Sequence, residues 1–232
     1  MEYARVVPAT FLRRPNRFIA EAEVEGKAVV AHVKNTGRCR ELLVPGAKIY
    51  LEDFGENRPG RKTRYDLIAV WKGDLLINMD AQAPNRVFYE WVKDDGRAWR
   101  PEVKWGDSRF DFYWQDGDAE GFVEVKGVTL EEDGAAVFPD APTERGLKHV
   151  KELIRAKGLG YSAAICFVVQ MERARYFAPN DRTHPAFGQA LRAASEAGVD
   201  ISARLCRVTP DSLSLGAEIP VVLSPRRGRS SM

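Results

Sequence analysis

Three residues could do chemistry together if the chain folds as its alternation suggests. Asp111 sits in Ser108-Arg109-Phe110-Asp111-Phe112, and Glu124 and Lys126 sit in Gly121-Phe122-Val123-Glu124-Val125-Lys126. Both stretches alternate apolar and polar residues, which is the period of a β-strand. Residues two apart on a strand project from the same face. The first strand then presents Arg109, Asp111 and Tyr113 on one side, with Phe110 and Phe112 on the other. The second presents Glu124 and Lys126 opposite Val123 and Val125. Paired in one hairpin, the two bring two carboxylates and an ammonium to one point. Two carboxylates suit a hard divalent cation, Mg²⁺ or Mn²⁺. A lysine beside them can orient a water or steady the charge on a phosphate in flight. This is the group set of metal-assisted phosphodiester hydrolysis. The competing reading is a wet strand face whose charges pair with little effect on stability.

The elements that must position these groups are legible along the chain. The length of 232 residues allows one large domain or two small ones, and a hydrophobic fraction of 44% supplies a core. Residues 1–82 read as short strands between turns: Phe18–Val24, Ala28–Val33, Lys48–Asp53, Tyr65–Trp71 and Leu75–Met79. A short helical piece at Arg40–Val44 interrupts them, and Asn35-Thr36-Gly37 is a turn signal. Five short strands with one small helix point to a β-barrel of the OB type. Such barrels bind single strands by stacking bases on aromatics and meeting phosphates with basic loops. Arg13, Arg14, Arg17, Arg38, Arg40, Arg61, Lys62 and Arg64 are the candidate cations; Phe11, Phe18, Tyr65 and Trp71 are the candidate faces.

From residue 83 the pattern changes. A helix starts near Ala83-Pro84, with proline suited to a first turn. Strands follow at Glu102–Trp105, Ser108–Trp114 and Gly121–Leu130. A helix with the apolar stripe Leu147, Val150, Leu153 and Ile154 spans about 143–157. The apolar run Tyr161–Gln170 reads as a strand buried on both faces. A helix over about 185–197 and a strand at Ile201–Val208 complete the set. The division expected is a barrel over 1–82, an α/β domain with a central mixed sheet over 83–223, and a basic, unstructured tail over 224–232. The order of the first six elements of the second part matches the core of PD-(D/E)XK nucleases, with the candidate carboxylates on its second and third strands.

Charge is balanced overall at +2, but residues 1–82 carry net +3 and residues 83–232 net −1. A mildly basic front suits a polyanion, and an acidic tilt behind suits a cation site. Cys39, Cys166 and Cys206 have no metal-type spacing, so a reduced, cytoplasmic protein is expected. The N-terminus lacks a signal peptide's apolar core, and no run of about 18 apolar residues marks a membrane span.

Several motifs carry a family resemblance over nearly the whole length. They are Lys34-Asn35-Thr36-Gly37, Asn85-Arg86, Glu102-Val103-Lys104-Trp105-Gly106, Glu124-Val125-Lys126-Gly127-Val128-Thr129-Leu130, and Phe138-Pro139-Asp140-Ala141-Pro142-Thr143-Glu144-Arg145-Gly146-Leu147-Lys148-His149. In these the chain resembles the sugar fermentation stimulation protein A family. The resemblance implies an OB-like front domain, a nuclease-like back domain, DNA binding and a regulatory role in sugar metabolism. It places Asp111, Glu124 and Lys126 at the PD-(D/E)XK positions, with Phe110 where the pattern usually has proline. It also suggests Glu90 as a further metal ligand, and Arg145, Lys148 and His149 as a basic rim for phosphate.

The reading expected is a DNA-binding protein with little sequence preference and a Mg²⁺- or Mn²⁺-dependent nuclease-type site, with RNA an open alternative substrate. Its rival is a non-catalytic DNA-binding regulator that keeps the fold. A sugar-handling enzyme ranks last, because no paired-acid site with sugar-stacking aromatics is visible. Oligomeric state is not readable.

Overall fold

A computed structural model describes residues 1–35, 37–56 and 60–224. Thr36 of the expected turn, and residues 225–232 of the expected tail, lie outside the described residues. The front part contains β1 (Val6–Asn16), β2 (Ile19–Val24), β3 (Lys27–Val33), β4 (Lys48–Asp53), β5 (Tyr65–Lys72) and β6 (Leu75–Asn78). They run in the order β3-β2-β1-β4-β5-β6, and a parallel β3–β5 pairing, Ala31 to Tyr65 and Val33 to Leu67, closes β1–β5 into a barrel. Phe11, Ala20, Ala22, Ala31, Val33, Ile49, Leu51 and Leu67 fill it. Closure leaves the barrel strands without a free edge.

Sequence reading missed β1 because Pro8 and Pro15 interrupt it, and proline cannot donate to a ladder. The strand tolerates Pro8 by changing partners. Residues Val6–Thr10 pair with β4, and pairing with β2 begins only at Thr10. Arg40–Val44 is not a helix: residues 40–42 form one turn, with Leu42 and Leu43 N–H both donating to the Cys39 carbonyl.

The back part begins with α1 (Ala83–Val92). Then come β7 (Ala98–Trp105), β8 (Ser108–Asp116), β9 (Ala119–Val128), β10 (Leu130–Glu132), β11 (Ala135–Phe138) and α2 (Glu144–Gly158). They are followed by β12 (Ser162–Val169), β13 (Tyr176–Pro179), α3 (Pro185–Glu196), β14 (Asp200–Val208) and β15 (Leu213–Ile219). A mixed sheet has the order β15-β14-β12-β9-β8-β7, with β9, β12 and β14 parallel and the rest antiparallel. The short strands β10, β11 and β13 make a separate sheet that sequence reading did not find.

The buried strand β12 sorts the two faces. Ala163, Ile165 and Phe167 pack with Val150 and Leu153 of α2 and Leu191 of α3, while Cys166 and Val168 belong with Val87 and Phe88 of α1. The Thr143 hydroxyl accepts the Gly146 N–H at 3.1 Å and starts α2 as an N-cap. The two parts meet closely. A Cβ at Gly37, in the barrel loop, would stand 2.1 Å from Asp140 Oδ2, so any larger residue there would displace the Asp140 carboxylate. Among the described residues no helix is long and apolar enough to cross a membrane.

Candidate metal and phosphodiester site

Asp111 and Glu124 belong to neighbouring strands that separate where these residues stand. The β8–β9 ladder runs from Asp116–Ala119 back to Phe112–Val123 and ends there. Beyond it, the Asp111 side chain replaces the next rung: Oδ2 accepts the Val125 N–H at 2.9 Å. The other oxygen, Oδ1, accepts from Asn85 Nδ2 at 2.9 Å. The regular alternation expected for Phe110 and Phe112 fails at this point. Phe110 packs with Trp105 and Phe122 on the α2 side, whereas Phe112 packs with Phe88 and Tyr89 on the α1 side. The backbone turns through the break at Asp111 and opens a fork between the strands.

Glu124 and Lys126 behave as their spacing suggests. Both project toward α2, and Lys126 Nζ donates to Glu124 Oε1. His149, on the second turn of α2, reaches the same oxygen with Nδ1. An ionised carboxylate can only accept, so this nitrogen carries the proton. The second oxygen, Glu124 Oε2, is buried and has no hydrogen-bond partner. An orphaned carboxylate oxygen inside a protein is costly and asks for a ligand.

The charges act on one another. Burial and the neighbouring Glu124 carboxylate push the Asp111 carboxyl above its usual range, against the pull of Lys126 and the Val125 N–H. Burial pushes Glu124 upward too. The His149 hydrogen bond and the Lys126 charge outweigh it and hold the carboxyl below its usual range. The Glu124 charge adds to burial in raising Asp111, as like charges near one another do. The residues present fit a hard divalent ion in donor type, with Asp111 and Glu124 as ligands. Among the described residues no group of three or more His, Cys, Asp and Glu converges in metal-holding geometry. An ion here would therefore take most of its shell from water, as Mg²⁺ commonly does.

Glu90 does not join this pair. It lies five residues after Asn85 on α1, nearly half a turn round the helix. Its oxygens bind the Met1 ammonium at 2.6 Å and Arg86 Nε at 3.3 Å. His149 also has a different role from the one expected. It is buried against Glu124 and cannot serve as an exposed phosphate contact.

Sequence reading missed two contributors. Asn85 was visible only as part of a motif, since nothing local tells which residue it will touch. Gly127 is what lets it reach: a Cβ there would lie 2.7 Å from Pro84 Cγ and 2.5 Å from Gln170 Oε1. Without a side chain at 127, the start of α1 settles on the sheet and Asn85 meets Asp111.

The proposed basic residues divide by how free their charges are. Arg13 is held by Glu21 at 2.6 and 2.8 Å. Arg14 is consumed by four carbonyls, those of Arg17, Asn35, Gly37 and Arg38, and so organises its loop. Arg61 is engaged by Asp66 and stacks on Phe54, and Arg64 is engaged by Asp53. Arg17 lies 4.6 Å over the exposed Phe18 ring. Arg38, Arg40, Lys62, Arg145 and Lys148 are exposed, with Lys148 Nζ donating to the Asp107 carbonyl at 2.7 Å. Because Gly37 abuts Asp140, the loop of Arg38 and Arg40 adjoins the segment leading to Arg145. Phe11 and Tyr65 are buried in the barrel and Trp71 is half-buried, which leaves Phe18 as the open ring of that set.

Comparison with known proteins agrees with this two-part build. The family model described as the SfsA N-terminal OB domain matches residues 12–79, and that of the sugar fermentation stimulation protein RE domain matches residues 82–212. A sugar fermentation stimulation protein homolog of Desulfitobacterium hafniense (strain Y51) is 51% identical over 227 residues, covering 96% of this chain and 99% of the relative. The homolog of Alkaliphilus oremlandii is 47% identical over 232 residues, covering 95% and 98%. Among solved structures, that of Pyrococcus furiosus SfsA in complex with Ca²⁺ superposes with a TM-score of 0.86 at 29% identity, covering 96% of this chain and 98% of that one. The chain belongs to the sugar fermentation stimulation protein family.

Proposed function

We propose that this protein binds nucleic acid and hydrolyses phosphodiester bonds with the help of a divalent ion held by Asp111 and Glu124. The observation that carries the reading is the fork itself. Two carboxylates lie near enough to interact electrostatically where β8 and β9 part, and one of them has a buried oxygen with no hydrogen-bond partner. The solved relative described as a Ca²⁺ complex supports a hard-cation site in this family. Mg²⁺ or Mn²⁺ bound here would supply a Lewis acid for the phosphoryl oxygen and an acidified water. The remaining work falls to residues of this chain. Lys126, about one-fifth exposed, orients the attacking water and offsets charge on the phosphoryl group. His149 fixes the Glu124 carboxylate, and Asn85 fixes that of Asp111. The exposed cations Arg38, Arg40, Arg145 and Lys148 give sequence-independent contacts to phosphate.

The test is Mg²⁺- or Mn²⁺-dependent cleavage of a panel of single- and double-stranded DNA and RNA. Asp111→Asn and Glu124→Gln should abolish it, and Lys126→Ala should slow it on the order of 10²-fold while sparing metal binding. Binding without cleavage should weaken steeply with added salt. Salt-insensitive binding would defeat the phosphate-contact reading. DNA binding with no cleavage under any metal would leave a non-catalytic DNA-binding regulator as the better description.

A further inference from the structure

Trp99 and Val103 stand four residues apart on β7, so a regular strand would point both to one face. They point to opposite faces. Trp99 packs with Phe88 and Phe112 on the α1 side. Val103 and Trp105 pack against the core on the α2 side, where Trp105 meets Phe110, Phe122 and Tyr161. β8 makes the same change of face between Phe112 and Phe110, and the two strands keep step. On one side of the change Trp99 pairs with Trp114 and Pro101 with Phe112; on the other, Val103 pairs with Phe110 and Trp105 with Ser108. Between these sets one rung of the ladder is missing, that of Glu102 opposite Asp111.

Glu102 makes the change with a left-handed backbone, at a φ of +53°. Such a φ is uncommon outside glycine. Glu25 and Asp133 share it, but each precedes a glycine in a hairpin turn, and Cys39 lies in the loop after β3. Among the described residues Glu102 is the only non-glycine residue that adopts it inside a strand. Its side chain does not account for this. The carboxylate pairs with Arg109 at 3.1 Å, but the two side chains are 63% and 57% exposed, and exposed pairs contribute little. No outer neighbour imposes it either, since β7 is the end strand of its sheet. What remains is β8. A regular β7 would hold Pro101 and Val103 on one face while their partners Phe112 and Phe110 lie on two, and the pairing would split at Asp111. A backbone in a sparsely populated region persists where its surroundings over-determine it, and such residues gather at functional sites.

We propose that Glu102 is a positioning residue for Asp111. Its left-handed backbone carries β7 through the change of face in step with β8. β7 therefore supports the β8 backbone on both sides of the break, and the Asp111 carboxylate is held on Val125 N–H and Asn85 Nδ2. The backbone of Glu102 does this, and its carboxylate does not. The consequence for metal binding rests on the phosphodiesterase reading above; the consequence for the Val125 hydrogen bond does not.

The test compares Glu102→Gly, which accepts a positive φ, with Glu102→Val, whose branched side chain resists it. Two quantities are read on the full chain: hydrogen exchange of the Val125 amide by NMR, and Mn²⁺ affinity by calorimetry. Glu102→Val should speed Val125 exchange by about tenfold or more, a local opening, while the Ile165 and Phe167 amides of β12 stay protected. It should also weaken Mn²⁺ binding by about 10- to 100-fold, as loss of support behind a metal ligand does. Glu102→Gly should keep both quantities within about threefold of the parent, because glycine takes the same φ without strain. If Glu102→Val does not fold, Glu102→Thr, branched but polar at this exposed edge, is read in its place. Unchanged Val125 exchange in the branched variant would overturn the proposal. So would a loss in Glu102→Gly equal to that in Glu102→Val, since the side chain would then be what matters. Faster exchange with unchanged Mn²⁺ affinity would overturn the link to the metal ligand. A parent that binds no Mn²⁺ would remove the metal reading, and faster Val125 exchange in Glu102→Val alone would still support the positioning of Asp111.

Discussion

The Asp111 carboxylate accepts the main-chain N–H of Val125 at 2.9 Å, so a side chain closes the sheet where the β8 backbone has left β9. One residue therefore does two jobs. It satisfies a main-chain donor that the fork would otherwise strand, and it holds a carboxylate beside Glu124. The fork is the price of the site, and Asp111 offsets part of it.

Separating these jobs gives the first prediction. Asp111→Asn keeps an acceptor for Val125 N–H and should leave urea stability within about 1 kcal/mol of the parent. Asp111→Ala strands that donor and should cost roughly 1–3 kcal/mol. Both should lose Mn²⁺ binding in calorimetric titration. Equal stability of the two variants would show that the rung does not matter.

The barrel offers a prediction of acid sensitivity. Arg64 grips the Asp53 carboxylate with two hydrogen bonds of 2.7 and 2.8 Å. This grip, with help from the Gly55 N–H and Arg5, overcomes burial and holds the Asp53 carboxyl at about 2. The unfolded chain takes up the proton nearer pH 3.9. The pair's contribution is thus complete above about pH 4 and is lost as pH falls toward 2. It should amount to about 1–2 kcal/mol, less than the full shift implies because the guanidinium is one-third exposed. Asp53→Asn should flatten the slope of melting temperature against pH in that window. An unchanged slope would mean the pair contributes nothing there.

Which parts of this were legible in the sequence follows from what is local. Glu124 and Lys126 share one regular strand, so a period of two places both correctly. Phe110 and Phe112 are also two apart, yet they face opposite sides, because the break at Asp111 depends on a main-chain donor, the Val125 N–H, found only in the partner strand. β1 was hidden by its prolines, whose cost disappears once the strand changes partners. The closed barrel and the mixed sheet could still be inferred, since strand count and order survive such local errors. The arginines show the opposite limit. Arg14 and Arg38 look alike in sequence, but one spends its donors on four carbonyls and the other faces solvent. Asn85 and His149 reach the carboxylates only through the packing of α1 and α2, which no spacing encodes.

That packing can be tested at Gly127. Alanine there would place Cβ against Pro84 Cγ and Gln170 Oε1, well inside van der Waals contact. The start of α1 must then move off the sheet and take Asn85 from Asp111. Overpacking of this kind costs about 1–3 kcal/mol. Gly127→Ala should show that loss in urea unfolding together with weaker Mn²⁺ affinity, while Asn85→Ala should show the affinity loss with a smaller stability change. Full Mn²⁺ affinity in Gly127→Ala would mean Asp111 does not depend on the seat of α1.

His149 tests the other carboxylate. Its Nδ1 and Lys126 Nζ converge on Glu124 Oε1, and this leaves Oε2 turned away and unpartnered. The histidine comes from α2 and the lysine from the same strand as Glu124, so the histidine ties the carboxylate to the opposite wall of the site. Residues that orient a metal ligand from behind typically contribute 10- to 100-fold in affinity. His149→Ala should therefore weaken Mn²⁺ binding by about that factor, and His149→Gln, which can still donate, should recover much of it. Lys126→Ala should not weaken binding comparably, because His149 still fixes the carboxylate while one repelling charge is gone. A merely structural histidine would instead lower the melting temperature in both His149 variants and leave the Mn²⁺ affinity of the folded protein unchanged.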